Sequence, residues 1–123
     1  MHFQVKKPQG KLISVIKGEI FDVAVDLRKN SKTFGKYFSI KLNENNCTSV
    51  FIPEGFAHGF VTLKKENIVC YSCTEYRSPN HERSLKYNDP KFKIKWPVKK
   101  IKISKKDRKL PSLKIFSKTY KFL

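Results

Sequence analysis

Acidic side chains are scarce in this sequence of 123 residues. Ten Asp and Glu stand against 27 Lys and Arg, so the formal net charge is +17. A charge of this size is a common feature of nucleic-acid-binding proteins. Only four of the basic residues are Arg, however, and Arg is the side chain that reads bases and grips phosphates through its planar fork. We therefore do not expect nucleic-acid binding, although a basic nucleic-acid-binding β-barrel stays open as an alternative.

The sequence also lacks long apolar runs and is poor in cysteine. No stretch approaches the length of a membrane span and no signal-peptide pattern opens the chain, so we expect no membrane association. Three cysteines are too few for a disulfide scaffold and fit the reducing cytoplasm. Cys70 and Cys73 have C-x-x-C spacing, but residues three apart on a strand point to opposite faces. We expect neither a redox pair nor a metal clamp there.

Aromatic residues and short stretches of period-two alternation are what the sequence has in abundance. Aromatics make up 13% of the chain, enough to bury a core. The clearest alternation is Glu19–Asp26, whose even-numbered residues share one face and whose odd-numbered apolar residues share the other. Turn-forming clusters separate the candidate strands, and this spacing predicts an all-β, antiparallel sandwich or barrel without a three-turn helix. The other predicted strands are Lys11–Ile16, Tyr37–Leu42, Ser49–Ile52, Ala57–Leu63 and Ile68–Glu75.

The chain is predicted to form a single domain over residues 1–123. About residues 1–97 supply the barrel core, and residues 98–123 form a basic C-terminal segment that carries Asp107. Residues 91–123 hold thirteen basic residues against one acid, a local charge of +12. The segment alternates only weakly, and we expect it to wrap around the barrel. A Lys-rich run of this kind is typical of a solvated surface.

Candidate reactive side chains are few. His58 follows a Pro-Glu-Gly turn and enters an apolar strand between small residues, a setting in which a lone His is more often a core residue than a catalyst. A metal-binding β-barrel would need a second imidazole nearby, and His58 is followed by Gly59 and Phe60, so no metal is predicted. The motifs of serine hydrolases, P-loop proteins and dinucleotide-binding proteins are missing.

A series of segments, in one order and spacing, resembles the dTDP-4-dehydrorhamnose 3,5-epimerase family of the cupin (jelly-roll) superfamily. The resemblance implies an antiparallel jelly-roll (cupin-like) barrel. In the family, an Arg-Gly pair and a substantial N-terminal segment precede the motif of His2, so we expect this barrel to be incomplete at the N-terminus. The matching segments are residues 1–4, 8–12, 18–28, 33–36 and 53–60, Tyr71 with 74–76, and residues 88–90, 94–97 and 104–107.

The resemblance implies cofactor-independent and metal-free epimerisation at C3 and C5 of dTDP-4-keto-6-deoxy-D-glucose, in the biosynthesis of dTDP-rhamnose or a related deoxysugar. By motif position His2 is the base, and Asp107 is the carboxylate that orients it and stabilises its protonated form. Lys11 is the cation near the developing oxyanion, and Tyr71 is the acid that reprotonates the ring carbon from the other side. These roles rest on the resemblance, because Lys11 and Asp107 lie among many lysines.

The same resemblance implies a substrate pocket and a quaternary state. Gln4, Asp22, His58 and Tyr76 match positions that line the pocket or bind the sugar. The expected partner is a dTDP-4-keto-6-deoxyhexose, and the expected assembly is a cytoplasmic homodimer. Besides the nucleic-acid-binding barrel, the alternative is a truncated, non-catalytic family member that binds a sugar nucleotide.

Overall fold

The computed structural model describes residues 1–119, and residues 120–123 of the predicted basic segment lie outside the described residues. Two antiparallel sheets make up most of it, so the all-β, antiparallel prediction is confirmed. The five-stranded sheet has the order β4-β3-β6-β1-β8, and the three-stranded sheet has the order β5-β2-β7. The strands are β1 (His2–Gln4), β2 (Lys11–Lys17), β3 (Glu19–Asp26), β4 (Tyr37–Asn43), β5 (Val50–Ile52), β6 (Phe56–Thr62), β7 (Ile68–Cys73) and β8 (Glu82–Ser84).

Strand β3 is buried on both faces, because one face packs toward the three-stranded sheet and the other lies under the C-terminal segment. Ile20 and Ala24 point toward the three-stranded sheet, where they pack with Ile13 of β2 in a core between the sheets. Val23 and Val25, on the opposite face, enter a second core beneath the C-terminal segment. The two faces predicted from the alternation of this strand are therefore confirmed, and each face buries its own cluster.

Gly18 carries the chain from the three-stranded sheet to the five-stranded sheet. Its φ of +83° lies in the left-handed region that favours glycine. A Cβ at this position would collide with the backbone carbonyl oxygen of Glu66. Because of this turn, the inner face of β2 lies opposite the inner face of β3.

The C-terminal segment contains two short helices, α1 (Lys105–Arg108) and α2 (Leu113–Thr119), rather than a strand. The weak alternation of the sequence there did not predict them, because both are shorter than the three turns that a periodic pattern would reveal. None of the helices in the described part of the chain is long and apolar enough to cross a membrane.

Helix α2 fastens the C-terminal segment to the outer face of the five-stranded sheet. Leu113 and Phe116 are buried in the outer core, and the Phe116 ring meets the Phe3 ring edge-on at 5.4 Å. The buried Asp89 carboxylate accepts a hydrogen bond of 2.5 Å from the Leu113 backbone N–H. A carboxylate at the N-terminus of a helix accepts a hydrogen bond from a free backbone N–H and interacts favourably with the positive end of the helix dipole. Contacts made by α2 therefore hold the segment that contains α1. The division of the chain near residue 97 stays a prediction.

Replacing Phe116 by alanine should lower the free energy of unfolding by about 3–5 kcal/mol, since it empties a large buried aromatic site. Chemical denaturation followed by circular dichroism would measure the loss. The neighbouring Ile115 is 57% exposed, so Ile115→Ala should change stability by no more than about 0.5 kcal/mol. Equal losses in the two variants would show that α2 does not depend on this core.

Candidate active site

His2 lies in the five-stranded sheet, on the strand next to the edge strand β8. It lies on β1, where its register partners are His58 on β6 and Ser84 on β8. Partners in an antiparallel pair share a face, so the three side chains form a row across the inner surface of the sheet. The Nδ1 atom of His2 lies 2.7 Å from the Ser84 hydroxyl. Strands β1 and β8 are only three residues long. Phe3, next to His2 on β1, packs into the core under the C-terminal segment and so holds β1 in place.

Asp107 reaches His2 from the distant C-terminal segment. It is the third residue of helix α1, and its backbone N–H donates to the side chain of the capping residue Ser104 over 3.1 Å. Its Oδ1 atom lies 3.3 Å from His2 Nε2, within ion-pair distance. Within residues 1–119 this buried oxygen accepts no hydrogen bond. The His2 imidazole lies within ion-pair distance of it and becomes a cation when it is protonated.

Lys11 and Tyr71 come from the facing, three-stranded sheet. Ile13 on β2 is fully buried between the sheets, and Tyr71 on β7 is its register partner. Lys11 lies two residues before Ile13 and therefore shares its inner face. The pairing of β2 with β7 thus puts Tyr71 on the inner face that strand alternation predicts, where it lines the cavity with 58% of the residue exposed.

One cavity of about 460 Å³ brings these groups together. The polar side chains that line it include His2, Lys11, His58, Tyr71, Glu82 and Asp107. Its apolar walls include Phe60 from the five-stranded sheet and Trp96 from the C-terminal part of the chain. Trp96 is fixed because its indole N–H donates to the Tyr87 carbonyl over 3.0 Å. The arrangement offers a base, an ammonium, a phenol and a carboxylate around a space large enough for one sugar ring.

Burial is the main influence on His2. It lowers the pKa of the imidazole below its usual 6.5, because a buried cation loses its hydration. The Asp107 and Glu82 carboxylates act in the opposite direction and raise this pKa. A His with a lowered pKa is unprotonated at neutral pH, which is the state a general base requires.

Lys11 is also shifted by burial, which lowers the pKa of its ammonium below the usual 10.5. The nearby Glu82 carboxylate opposes this shift. Glu82 itself keeps a lowered pKa, chiefly because it accepts a hydrogen bond of 2.9 Å from Arg77. Glu82 therefore contributes a negative charge to the cavity that acts on both the imidazole and the ammonium.

Asp22 and His58 form a buried pair at the inner surface of the five-stranded sheet. His58 Nε2 lies 2.8 Å from Asp22 Oδ2, and both residues are buried. His58 lines the cavity, whereas Asp22 contacts the cavity through the His58 ring. The expectation of a core histidine and the expectation of a pocket histidine are therefore compatible at this position.

Gln4 and Tyr76 are tied to a neighbouring loop. Gln4 is buried, and its side-chain amide donates to the Lys7 carbonyl and accepts from the Ser78 backbone N–H. The Tyr76 side chain is 87% exposed. The predicted sugar-binding roles of Gln4, Asp22, His58 and Tyr76 stay predictions, as do the roles of the four predicted catalytic residues.

Two polar residues near His2 were not predicted from the sequence. Glu82 lines the cavity, and Ser84 contacts the imidazole directly. Both share one face of the three-residue strand β8, which is too short to produce a readable alternation. Their only sequence signal is their spacing of two, just after the turn at Pro79.

The described residues contain no group of three or more His, Cys, Asp or Glu side chains placed to hold a metal ion. Cys47, Cys70 and Cys73 are free and exposed. Cys70 faces Ser14 and Cys73 faces Lys11 in the pairing of β7 with β2, and the two positions are three residues apart along the strand. The two thiols therefore project from opposite faces of β7.

Comparison with known proteins identifies the relatives of this chain. A family model described as dTDP-4-dehydrorhamnose 3,5-epimerase matches residues 1–114. The dTDP-4-dehydrorhamnose 3,5-epimerase of Methanothermobacter thermautotrophicus is 52% identical over 111 residues, a match that covers 88% of this chain and 60% of that protein. The dTDP-4-dehydrorhamnose 3,5-epimerase of Pseudomonas aeruginosa is 45% identical over 109 residues, a match that also covers 88% of this chain and 60% of that protein.

Solved structures agree with the sequence match. The dTDP-6-deoxy-D-glucose-3,5-epimerase of Legionella pneumophila, in complex with dTDP-4-keto-L-rhamnose, superposes with a TM-score of 0.89 at 43% identity, covering 93% of this chain and 61% of that one. The Bacillus anthracis dTDP-4-dehydrorhamnose 3,5-epimerase, with TDP and PPi bound, has a TM-score of 0.88 at 46% identity, covering 91% and 65%. The family and the jelly-roll fold implied by the resemblance are confirmed.

Proposed function

The chain belongs to the dTDP-4-dehydrorhamnose 3,5-epimerase family, and on this premise we propose that it inverts C3 and C5 of a dTDP-4-keto-6-deoxyhexose. The substrate class is supported by the relative from Legionella pneumophila, which is in complex with dTDP-4-keto-L-rhamnose. The observation that carries the proposal is the convergence of His2, Lys11, Tyr71 and Asp107 on one cavity of about 460 Å³. The reaction needs no cofactor, because it only moves protons.

His2 removes the first proton. A hydrogen on a carbon beside a carbonyl group is weakly acidic, and a positioned imidazole with a lowered pKa can take it up. The resulting imidazolium is stabilised by the Asp107 carboxylate, whose Oδ1 lies 3.3 Å from Nε2. The electron pair of the broken C–H bond passes into the carbonyl group and forms an enolate.

Lys11 stabilises the enolate oxygen. Its ammonium attracts the oxygen more strongly as negative charge builds up, which is the kind of contact that lowers a reaction barrier. Tyr71 then donates its phenolic proton to the same carbon. It lies on the sheet facing His2, so the new C–H bond forms on the opposite side of the ring and the carbon is inverted. His2 and Tyr71 afterwards exchange protons with water, which restores both groups for the second carbon.

The test is to incubate the full chain with dTDP-4-keto-6-deoxyglucose in deuterated water and to locate deuterium by NMR. Because the proton donated by Tyr71 comes from solvent, deuterium should appear at both C3 and C5. Binding of the substrate without deuterium above the level of a protein-free sample would instead support a non-catalytic family member. Tight, salt-sensitive binding of random DNA together with no affinity for dTDP would support the nucleic-acid-binding alternative.

The pH dependence of kcat/KM should have two limbs, since this ratio reports the free enzyme. His2 is active only when unprotonated, so the rate should fall as the pH drops through its lowered pKa, at a midpoint below 6.5. Lys11 is active only when protonated, so the rate should fall again as the pH rises through its lowered pKa, at a midpoint below 10.5. Initial rates of deuterium incorporation across this range would measure both. An acid midpoint at or above 6.5 would contradict a buried base.

We also propose that the chain acts as a homodimer in the cytoplasm. Strands β5 and β7 are the edges of the three-stranded sheet in the described part of the chain, and unpaired edges favour pairing with another chain. Light scattering should therefore give the mass of a dimer, and a monodisperse monomer of 14.4 kDa would overturn this assignment.

A further inference from the structure

Ser84 is the closest hydrogen-bonding partner of the predicted base. Its hydroxyl lies 2.7 Å from His2 Nδ1, whereas the Asp107 oxygen lies 3.3 Å from His2 Nε2. Strand pairing of β1 with β8 sets Ser84 directly opposite His2, so the contact is built into the sheet. We propose that Ser84 is a positioning residue whose hydroxyl oxygen accepts a hydrogen bond from the Nδ1–H of His2, which leaves Nε2 as the unprotonated nitrogen that removes the substrate proton.

The two ring nitrogens of a neutral imidazole have different roles, since one carries the proton and the other carries the lone pair. A base on Nε2 needs its proton on Nδ1, and the Ser84 oxygen is the group placed to accept it. Nε2 then faces the cavity beside Asp107. When Nε2 takes the substrate proton, the positive charge of the imidazolium forms 3.3 Å from a carboxylate that is already in place.

The opposite arrangement makes a different prediction about His2. If Nε2 carried the proton and donated it to Asp107, the lone pair would lie on Nδ1, buried against the Ser84 hydroxyl and aimed away from the cavity. Ser84 would then donate its hydrogen bond rather than accept one. The hydroxyl rotates freely, so the heavy-atom positions allow either direction, and the chemistry of a base that reaches substrate favours the first.

Several charged groups face the imidazole and also contribute to its pKa. They are Asp107 and Lys106 on α1, Glu82 on β8 and the α-ammonium of Met1, the residue before β1. On the other side of His2, the hydrogen-bonded pair of His58 and Asp22 faces it from β6 and β3. None of these groups hydrogen bonds to Nδ1 in residues 1–119, so the Ser84 bond can be tested separately from them.

The inference rests on the proposed function for its catalytic meaning, but its first test needs no substrate. In a chain labelled with ¹⁵N in its histidines, the nitrogen shifts of neutral His2 distinguish a protonated Nδ1 from a protonated Nε2. His2→Ala identifies which signals belong to His2. The expected result is a protonated Nδ1 in the native chain. A protonated Nε2 would overturn the proposal even if the chain proved to be an active epimerase.

Ser84→Ala provides the second test. The imidazolium donates to Ser84 more strongly than the neutral ring does, because hydrogen bonds from charged donors are stronger. Loss of the hydroxyl should therefore lower the pKa of His2 and mix its two tautomers. It should also lower kcat roughly three- to tenfold with little change in KM, the value of one neutral hydrogen bond. Ser84→Thr keeps the hydroxyl and should restore both properties.

The chain offers a matched control outside the cavity. The Ser78 hydroxyl contacts His81 Nδ1 over 2.8 Å, in the same way that Ser84 contacts His2. Ser78→Ala should change the spectrum of His81 and leave the His2 pKa and kcat unchanged. A rise of the His2 pKa in Ser84→Ala, or no change in either tautomer or pKa, would overturn the proposal. If the tautomer and pKa respond as expected and no deuterium reaches C3 or C5 in the native chain, the proposed function alone fails.

Discussion

Replacing His2 by alanine should lower the rate of deuterium incorporation at C3 and C5 by about a thousandfold. A positioned general base contributes a factor of this order, and the neighbouring His58 imidazole is already held by Asp22 over 2.8 Å. The rate would be measured by mass spectrometry of the sugar at saturating substrate. The matched control is His81→Ala, because His81 lies in the short 3₁₀ turn Pro79–His81 rather than on the row that contains His2.

A double-mutant cycle extends this prediction to Asp107. Asp107→Asn keeps the size of the side chain but removes the charge that stabilises the imidazolium, so the rate should fall by a smaller factor than in His2→Ala. The double variant should be no slower than His2→Ala alone, because groups that act as one unit have non-additive effects. Additive losses would show that Asp107 acts independently of His2. A His2→Ala variant within tenfold of the native rate would remove His2 from the mechanism.

Lys11→Met should reduce kcat by about a hundredfold to a thousandfold. Removal of a single group that stabilises a developing oxyanion typically costs this much. Methionine retains most of the apolar length of the side chain, so the core around Ile13 should persist. KM should change far less than kcat, because the ammonium interacts mainly with charge that appears in the transition state.

Lys17 is the matched control for Lys11. It lies on the same strand, β2, but it is exposed and pairs with Glu66 over 2.7 Å. Lys17→Met therefore removes the same charge from the same element without touching the cavity. Equal losses of kcat in the two variants would attribute the effect of Lys11 to net charge. A loss confined to KM would make Lys11 a binding residue rather than a stabiliser of the enolate.

The strands that bury a whole face were predictable from the sequence. Glu19–Asp26 was predicted with the bounds that the structure has, because every second residue supplies one of two cores. Five further strands, β2 and β4–β7, were predicted to within one or two residues of their observed ends. Tyr71 could also be assigned to the inner face, since the period of two fixes the direction of every side chain once one is buried.

The elements that complete the site carry almost no local signal. Strands β1 and β8 are three residues long, so each places two side chains on one face and one on the other. Three positions are too few to show an alternation of period two. Asp107 lies in a run of lysines that reads as a solvated surface, and only the packing of Phe116 and the Asp89 contact with α2 show how this segment is held. The predicted roles of His2 and Asp107 came from the family resemblance, because the alternation within a strand does not show which distant part of the chain its side chains contact.

A crystal structure of the full chain with dTDP-6-deoxyglucose, an analogue that lacks the 4-keto group and cannot form an enolate, would show directly whether the four side chains surround one hexose. The hexose should lie in the cavity between the two sheets, with C3 and C5 within about 3.5 Å of His2 Nε2. The Lys11 ammonium should contact the oxygen on C4, and the Tyr71 hydroxyl should lie across the ring from His2. A hexose bound outside this cavity, or one with His2 and Tyr71 on the same side of the ring, would exclude inversion by proton removal at His2 and proton donation from Tyr71.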